Sequence, residues 1–184
     1  MNIKTDILQI IKDESRVVFD KQIECRFLSD TLGRLVGKAD ALVFATSTEE
    51  VSALLKYADA NKISVTPRGA GTNLVGSTVP QNGGIIIDFS KMNKILEFDA
   101  DTFTATVESG ILLKDFQAFV ESKGFFYPPD PGEKSASIGG NIATNAGGMR
   151  AVKYGVTRDY VRGLEVVLAD GSVTWVGSKN VKKS

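Results

Sequence analysis

Residues 67–76 read PRGAGTNLVG, directly after residues 63–66, ISVT, which read as a strand. Gly69, Gly71 and Gly76 let the backbone turn tightly and take positive φ. Successive N–H groups in such a turn converge into an anion-binding concavity. Arg68 adds a guanidinium, and Thr72 and Asn73 add side-chain donors, a set suited to a diphosphate. Two familiar phosphate loops are excluded. A Walker loop needs a lysine after its last glycine, and Ser77 follows Gly76. A dinucleotide fingerprint needs GxGxxG opening a helix; Leu74 holds the third glycine position and no helical pattern follows. Taken alone, the stretch reads equally as a plain glycine-rich surface loop.

A second segment lies downstream. Residues 128–132 read PPDPG, residues 135–148 read SASIGGNIATNAGG, and Tyr154 and Gly155 follow. Six of the 18 glycines fall between residues 132 and 155, so a flat ligand can lie against the backbone there. The prolines hold an extended approach at little chain entropy. Ser135, Ser137, Asn141, Thr144 and Asn145 supply neutral hydrogen-bonding groups. The segment is rich in neutral polar groups and poor in acid–base groups, as suits holding a large cofactor. An irregular stretch of this length is functional or disordered as a rule, and its dense small-residue pattern argues against disorder.

The flanks read as mixed α and β. Ile3, Ile7, Leu8, Ile10 and Ile11 space an amphipathic helix over 3–13. A strand over 41–45 precedes Ser47 and Glu50, which read as a capping box opening a helix with Val51, Leu54, Leu55 and Ala58 on one face, ending near Asn61. Residues 84–89 read as a buried strand, and residues 95–98 and 102–107 as a hairpin around Asp99 and Asp101. A helix with Leu112, Leu113, Phe116, Phe119 and Val120 closes at Gly124. Asp170 and Gly171 turn a last hairpin, in which Trp175 reads as core or sheet packing. Phe125, Phe126 and Tyr127 read as core and strand entry, or one of them as the edge of a flat-ring site, Cys25 as a buried or idle thiol, and Arg150, Lys153 and Arg158 as solvated charges or a draw for an acidic substrate. The lysine-rich end, with Lys179, Lys182 and Lys183, has no evident closing element.

Composition narrows the functions. The 184 residues suffice for one domain with a sizeable core. Lys+Arg and Asp+Glu both number 22, so the basic excess that drives nucleic-acid or anionic-membrane binding is absent. One cysteine excludes an internal disulfide and a cysteine-rich zinc site, and no metal site is expected. Zero histidines remove Ser-His-Asp triads, HExxH sites and a flavin–histidine linkage. No apolar run reaches the roughly 18 residues of a membrane helix, and the first residues lack a signal-peptide pattern, so a reducing cytoplasm is the expected compartment.

In this order and at this separation, the two motifs resemble the FAD-binding PCMH-type domain of the vanillyl-alcohol oxidase family of FAD-linked oxidases, in particular its D-lactate dehydrogenase and glycolate oxidase branch. Residues 152–171, VKYGVTRDYVRGLEVVLADG, and the helix preceding the first loop share the resemblance. It implies an α+β fold of two α/β lobes over residues 15–184, after an N-terminal helix at 1–14. It implies that Arg68, Gly69, Ala70, Gly71, Thr72 and Asn73 wrap the FAD pyrophosphate, mainly through backbone N–H, with Gly76 closing the loop. Pro131, Ser135, Ser137 and Gly140 would meet the flavin and ribityl chain. Gly139, Asn141, Ala143, Asn145, Gly147 and Gly148 would line the cofactor further along, and Tyr154, Gly155, Val161 and Val166 the adenine end. Covalent members carry a histidine where Thr72 stands, so FAD is expected to bind non-covalently. Ser77 and Thr78 replace a glycine common after Gly76.

The resemblance also implies a C-terminally truncated flavin domain without the cap that supplies the substrate site and catalytic side chains. No residue here is assigned a catalytic role. The expected function is the FAD-binding part of a 2-hydroxy-acid oxidoreductase, inactive alone. Two alternatives stand beside it: a split FAD-binding module completed by a partner chain, and a degenerate scaffold. The intact glycines of both motifs argue against the scaffold.

Overall fold

A computed structural model describes residues 2–178; the lysine-rich end lies outside the described residues. The first lobe contains α1 (Ile3–Ile11), β1 (Val17–Phe19), α2 (Cys25–Leu28), β2 (Ala41–Phe44), α3 (Thr48–Ala60), β3 (Val65–Arg68) and β4 (Ile85–Asp88). Its sheet runs β1-β2-β4-β3, with β2, β4 and β3 parallel and β1 antiparallel at one edge. The apolar runs of β2 and β4 alternate between two faces. Ala41, Val43, Ile85 and Ile87 pack under α1 and α3 with Ile7, Ile11, Leu54 and Ala58. Leu42 and Ile86 meet Ile23 on the other face. Burial on both faces is why these strands are continuously hydrophobic. β3 is the other edge strand, the place where Pro67, which has no N–H to donate, is tolerated.

The second lobe contains the hairpin β5 (Ile95–Asp99) and β6 (Thr104–Val107), then α4 (Leu113–Ser122) and α5 (Ile138–Ala143). Ile111, Leu113, Phe116, Val120 and Ile138 form its core, with Phe98, Phe119, Phe125 and Tyr127 against it. Asp99 accepts from the N–H groups of Asp101 and Thr102, so this acidic pair is a turn device. The short α6 (Ala151–Tyr154) leads to the hairpin β7 (Gly163–Val167) and β8 (Val173–Gly177). That hairpin is tied back to α3, where Ser52 Oγ donates to the Gly171 carbonyl at 2.6 Å and Thr48 Oγ1 to Glu165 at 2.5 Å.

Several expectations are corrected. The strand after α3 begins at Val65, because the Ile63 N–H still caps α3 by donating to the Ala58 carbonyl. Ser47 Oγ accepts the Glu50 N–H at 3.3 Å, but Glu50 does not return the bond. Its carboxylate instead takes the Arg16 guanidinium at 2.6 and 2.7 Å and the Thr46 N–H at 2.9 Å, so half a capping box forms. Residues 138–143, expected as irregular, are the helix α5. Cys25 is exposed. Trp175 is 63% exposed and does not join a core.

Candidate functional site

The two lobes and the last hairpin wall a cleft of about 2110 Å³. The two glycine-rich segments meet at its floor. Gly69 lies against Ser137, whose Oγ stands where a Cβ on Gly69 would go. Ser137 is 2% exposed, and its Oγ accepts the Gly140 N–H at 3.2 Å as the N-cap of α5. Gly139 also lies too close to Ser109 for a Cβ to fit without a shift. Glycine at these positions is required by close approach, which hides α5 from a propensity reading. Among the described residues, the N–H groups of residues 69–74 have no hydrogen-bond acceptor in the protein. Asn141 is 4% exposed, lines the cleft, and its amide likewise has no protein partner.

The polar side chains of the first loop are largely engaged. Asn73 Oδ1 accepts from the N–H groups of Val75 and Ser77, and its Nδ2 donates to Thr78 Oγ1 at 2.8 Å. Arg68 is 7% exposed and turned under the loop. Its Nη2 donates to the Arg26 carbonyl at 2.7 Å and its Nη1 to the Ser29 carbonyl at 3.1 Å and Thr78 Oγ1 at 3.2 Å. The Arg68 and Asn73 side chains are thus bonded within the protein, and the loop offers the cleft its backbone. Burial pulls the Arg68 pKa below its ordinary value and pushes that of Asp88, its register partner on β4, above the usual carboxylate range. Burial also pushes Tyr127, on the cleft wall, up to about 12.

Of the expected site residues, Arg68, Gly69, Ala70, Gly71, Thr72, Asn73, Pro131, Ser137, Gly139, Gly140, Asn141, Ala143, Val161 and Val166 line the cleft. Gly76, Ser135, Asn145, Gly147, Gly148, Tyr154 and Gly155 do not. Gly76 donates its N–H to the buried Asp30 at 3.1 Å, and Ser135 turns its hydroxyl to Glu133. Asn145 accepts the Arg158 N–H, and Gly147 packs on Val156. Gly148 lies on the Asp130 carbonyl, Tyr154 on Phe126, and Gly155 beside Asp159. Arg150, Lys153 and Arg158 are also off the cleft; Arg150 pairs with the buried Asp130 at 3.5 Å. The sequence reading missed Thr46, Ser47 and Thr48 at the start of α3, Ser109, Phe103 and Trp175, all on the cleft wall. The alternation of Val173 and Trp175 marked a face without revealing what covers it.

The arrangement suits one kind of ligand. Clustered backbone N–H groups suit a diphosphate, a neutral amide suits ring or ribityl oxygens, and a wall with aromatic and aliphatic members suits a flat ring. FAD combines these features, and the free donors of residues 69–74 and Asn141 fit it. No group of three or more His, Cys, Asp or Glu able to hold a metal occurs among the described residues, and none of their helices is long and apolar enough to cross a membrane.

Comparison with known proteins agrees. D-lactate dehydrogenase of Anaerostipes hadrus is 52% identical over 171 residues, covering 92% of this chain and 36% of that protein. Glycolate oxidase subunit GlcD of Bacillus subtilis is 50% identical over 144 residues, covering 78% and 31%. The chain thus spans about a third of the length of these relatives. An alkyldihydroxyacetonephosphate synthase structure superimposes with a TM-score of 0.81 at 22% identity, covering 99% of this chain and 35% of that one, which shows the shared fold. Residues 39–177 match the model of the FAD binding domain; the chain belongs to this FAD-binding-domain family, and its cofactor is FAD.

Proposed function

We propose that this chain is the FAD-binding part of an oxidoreductase that oxidises 2-hydroxy acids of the D-lactate or glycolate type. One observation carries the reading: Gly69 rests on Ser137, so residues 69–74, whose N–H groups have no protein acceptor, and Asn141 line one cleft. The relatives at 52% and 50% identity, by name a D-lactate dehydrogenase and a glycolate oxidase subunit, support the substrate class. FAD, when bound, would supply the redox chemistry of such an oxidation, as the acceptor for hydride from the substrate α-carbon. The residues of this chain bind and orient it: the 69–74 backbone holds the diphosphate and Asn141 the more central part. With no histidine in the chain, FAD is held without a histidine linkage. The substrate carboxylate and the catalytic side chains are assigned to the part of the enzyme corresponding to the relatives' remaining two thirds.

The subunit name of the GlcD relative favours a second reading, a split module that completes its site with a partner chain. The visible absorption spectrum of the purified chain tests the first step. A flavin spectrum, with FAD released on acid denaturation, is expected. A folded, colourless chain that takes up no added FAD overturns the reading of an autonomous FAD binder. Turnover of D-lactate or glycolate after co-expression with the complementary part of the D-lactate dehydrogenase relative tests the substrate class, and a flavin-loaded complex that oxidises neither removes it.

A further inference from the structure

Arg68 is a buried cation without an ion-pair partner: among the described residues no carboxylate lies within ion-pair distance of its guanidinium. It is held only by the neutral oxygens of Arg26, Ser29 and Thr78, over the face of Phe27 at 5.8 Å. Its register partner Asp88 is 2% exposed and accepts the Ser90 N–H at 2.8 Å instead. Burial lowers the Arg68 pKa; the Asp88 charge, beyond ion-pair distance, offsets this only in part, and Arg26 adds like charge. The guanidinium lies directly beneath Gly71, where a Cβ would strike it; φ there is +73°. Buried charge that is only partly compensated is unfavourable.

Resting on the FAD reading above, we propose that Arg68 is the electrostatic floor of the first glycine-rich loop, and that the diphosphate held by the 69–74 backbone completes its counter-charge, which Asp88 supplies only in part. The side chain positions and charges the loop from behind. Its fork fixes the turn through three carbonyl and hydroxyl partners, while its charge favours an anion on the loop's N–H groups. Lysine keeps the charge but cannot reproduce the fork.

Flavin-fluorescence titrations of the full chain with FAD and with riboflavin, which lacks phosphate, separate these roles, with thermal melts run alongside. Arg68→Met is expected to weaken FAD about 10- to 100-fold while changing riboflavin less than about threefold. It should also flatten the dependence of FAD affinity on salt. Arg68→Lys should keep most of the preference for FAD and most of the salt dependence, and serves as the test should Arg68→Met not fold. Equal weakening of FAD and riboflavin with an unchanged salt slope would reduce Arg68 to a structural strut and overturn the proposal. Wild-type chain that binds neither FAD nor riboflavin removes the autonomous FAD-binding reading on which this proposal rests, and the proposal with it. Wild-type that binds FAD no better than riboflavin, and without salt dependence, removes only the electrostatic floor.

Discussion

Gly69 and Glu50 show how single residues hold this site. A methyl at Gly69 meets the buried Ser137 hydroxyl, so Gly69→Ala forces the two glycine-rich segments apart. It is expected to cost about 1–3 kcal/mol and to lower FAD affinity more than tenfold, read by thermal melts and flavin titration. The Arg16–Glu50 pair stands at the same C-terminal end of the parallel strands, at the start of α3, with side chains 13% and 19% exposed. The Arg16 hydrogen bonds hold the Glu50 carboxyl below its ordinary 4.5. A carboxyl lowered in the folded state contributes stability that is complete above its unfolded value and lost as pH falls through the folded one. Wild type should therefore lose stability below about pH 4.5, and Glu50→Gln should lower stability at neutral pH by roughly 2–3 kcal/mol and flatten that acid limb. Urea midpoints across the acid range check both.

At the scale of elements, α5 is the least self-sufficient helix near the cleft. It has six residues, two of them glycine, and its cap is the Ser137 hydroxyl. Ser137→Ala is expected to cost about 1 kcal/mol. It should also speed amide exchange across residues 138–143 well before the other helices, which hydrogen-exchange mass spectrometry resolves. The same helix marks the limit of what the sequence discloses. α1, α3, α4, β2, β4 and both hairpins were legible, since each carries a period of 3.6 or 2 or a continuous buried run. α5 was not, because Gly139 and Gly140 lower helix propensity in exchange for close approach to Ser109 and Ser137, a tertiary demand no local pattern records. The cleft-facing part of the site was legible as donors, through residues 69–73 and Asn141. The inward turn of Arg68 was not, because a residue ending a strand gives no sign of which side of the following loop its side chain takes. The seven expected residues off the cleft sit in the same small-residue pattern but serve its turns.

On the scale of the whole molecule, β8 is its most exposed strand. Its five residues are all exposed, among the described residues no strand pairs with its outer edge, and it carries neither charge nor proline. Val173, Trp175, Val176 and the neighbouring Leu168 present apolar surface beside that edge. Such an edge invites strand pairing. The isolated chain is expected to self-associate with rising concentration, and Val173→Lys should restore a monomer without lowering the melting temperature, measured by light scattering after size exclusion. The tether of this hairpin also bears on the order in which the molecule is made. The buried members of the first core all come from residues 7–87 and those of the second from residues 111–138, so each can close as its own stretch leaves the ribosome. The bond from Ser52 to Gly171 bridges 119 residues. The outer face of α3 must therefore wait, uncovered, through most of synthesis, and the nascent chain is most open to a chaperone on that face until the last hairpin arrives to cover it.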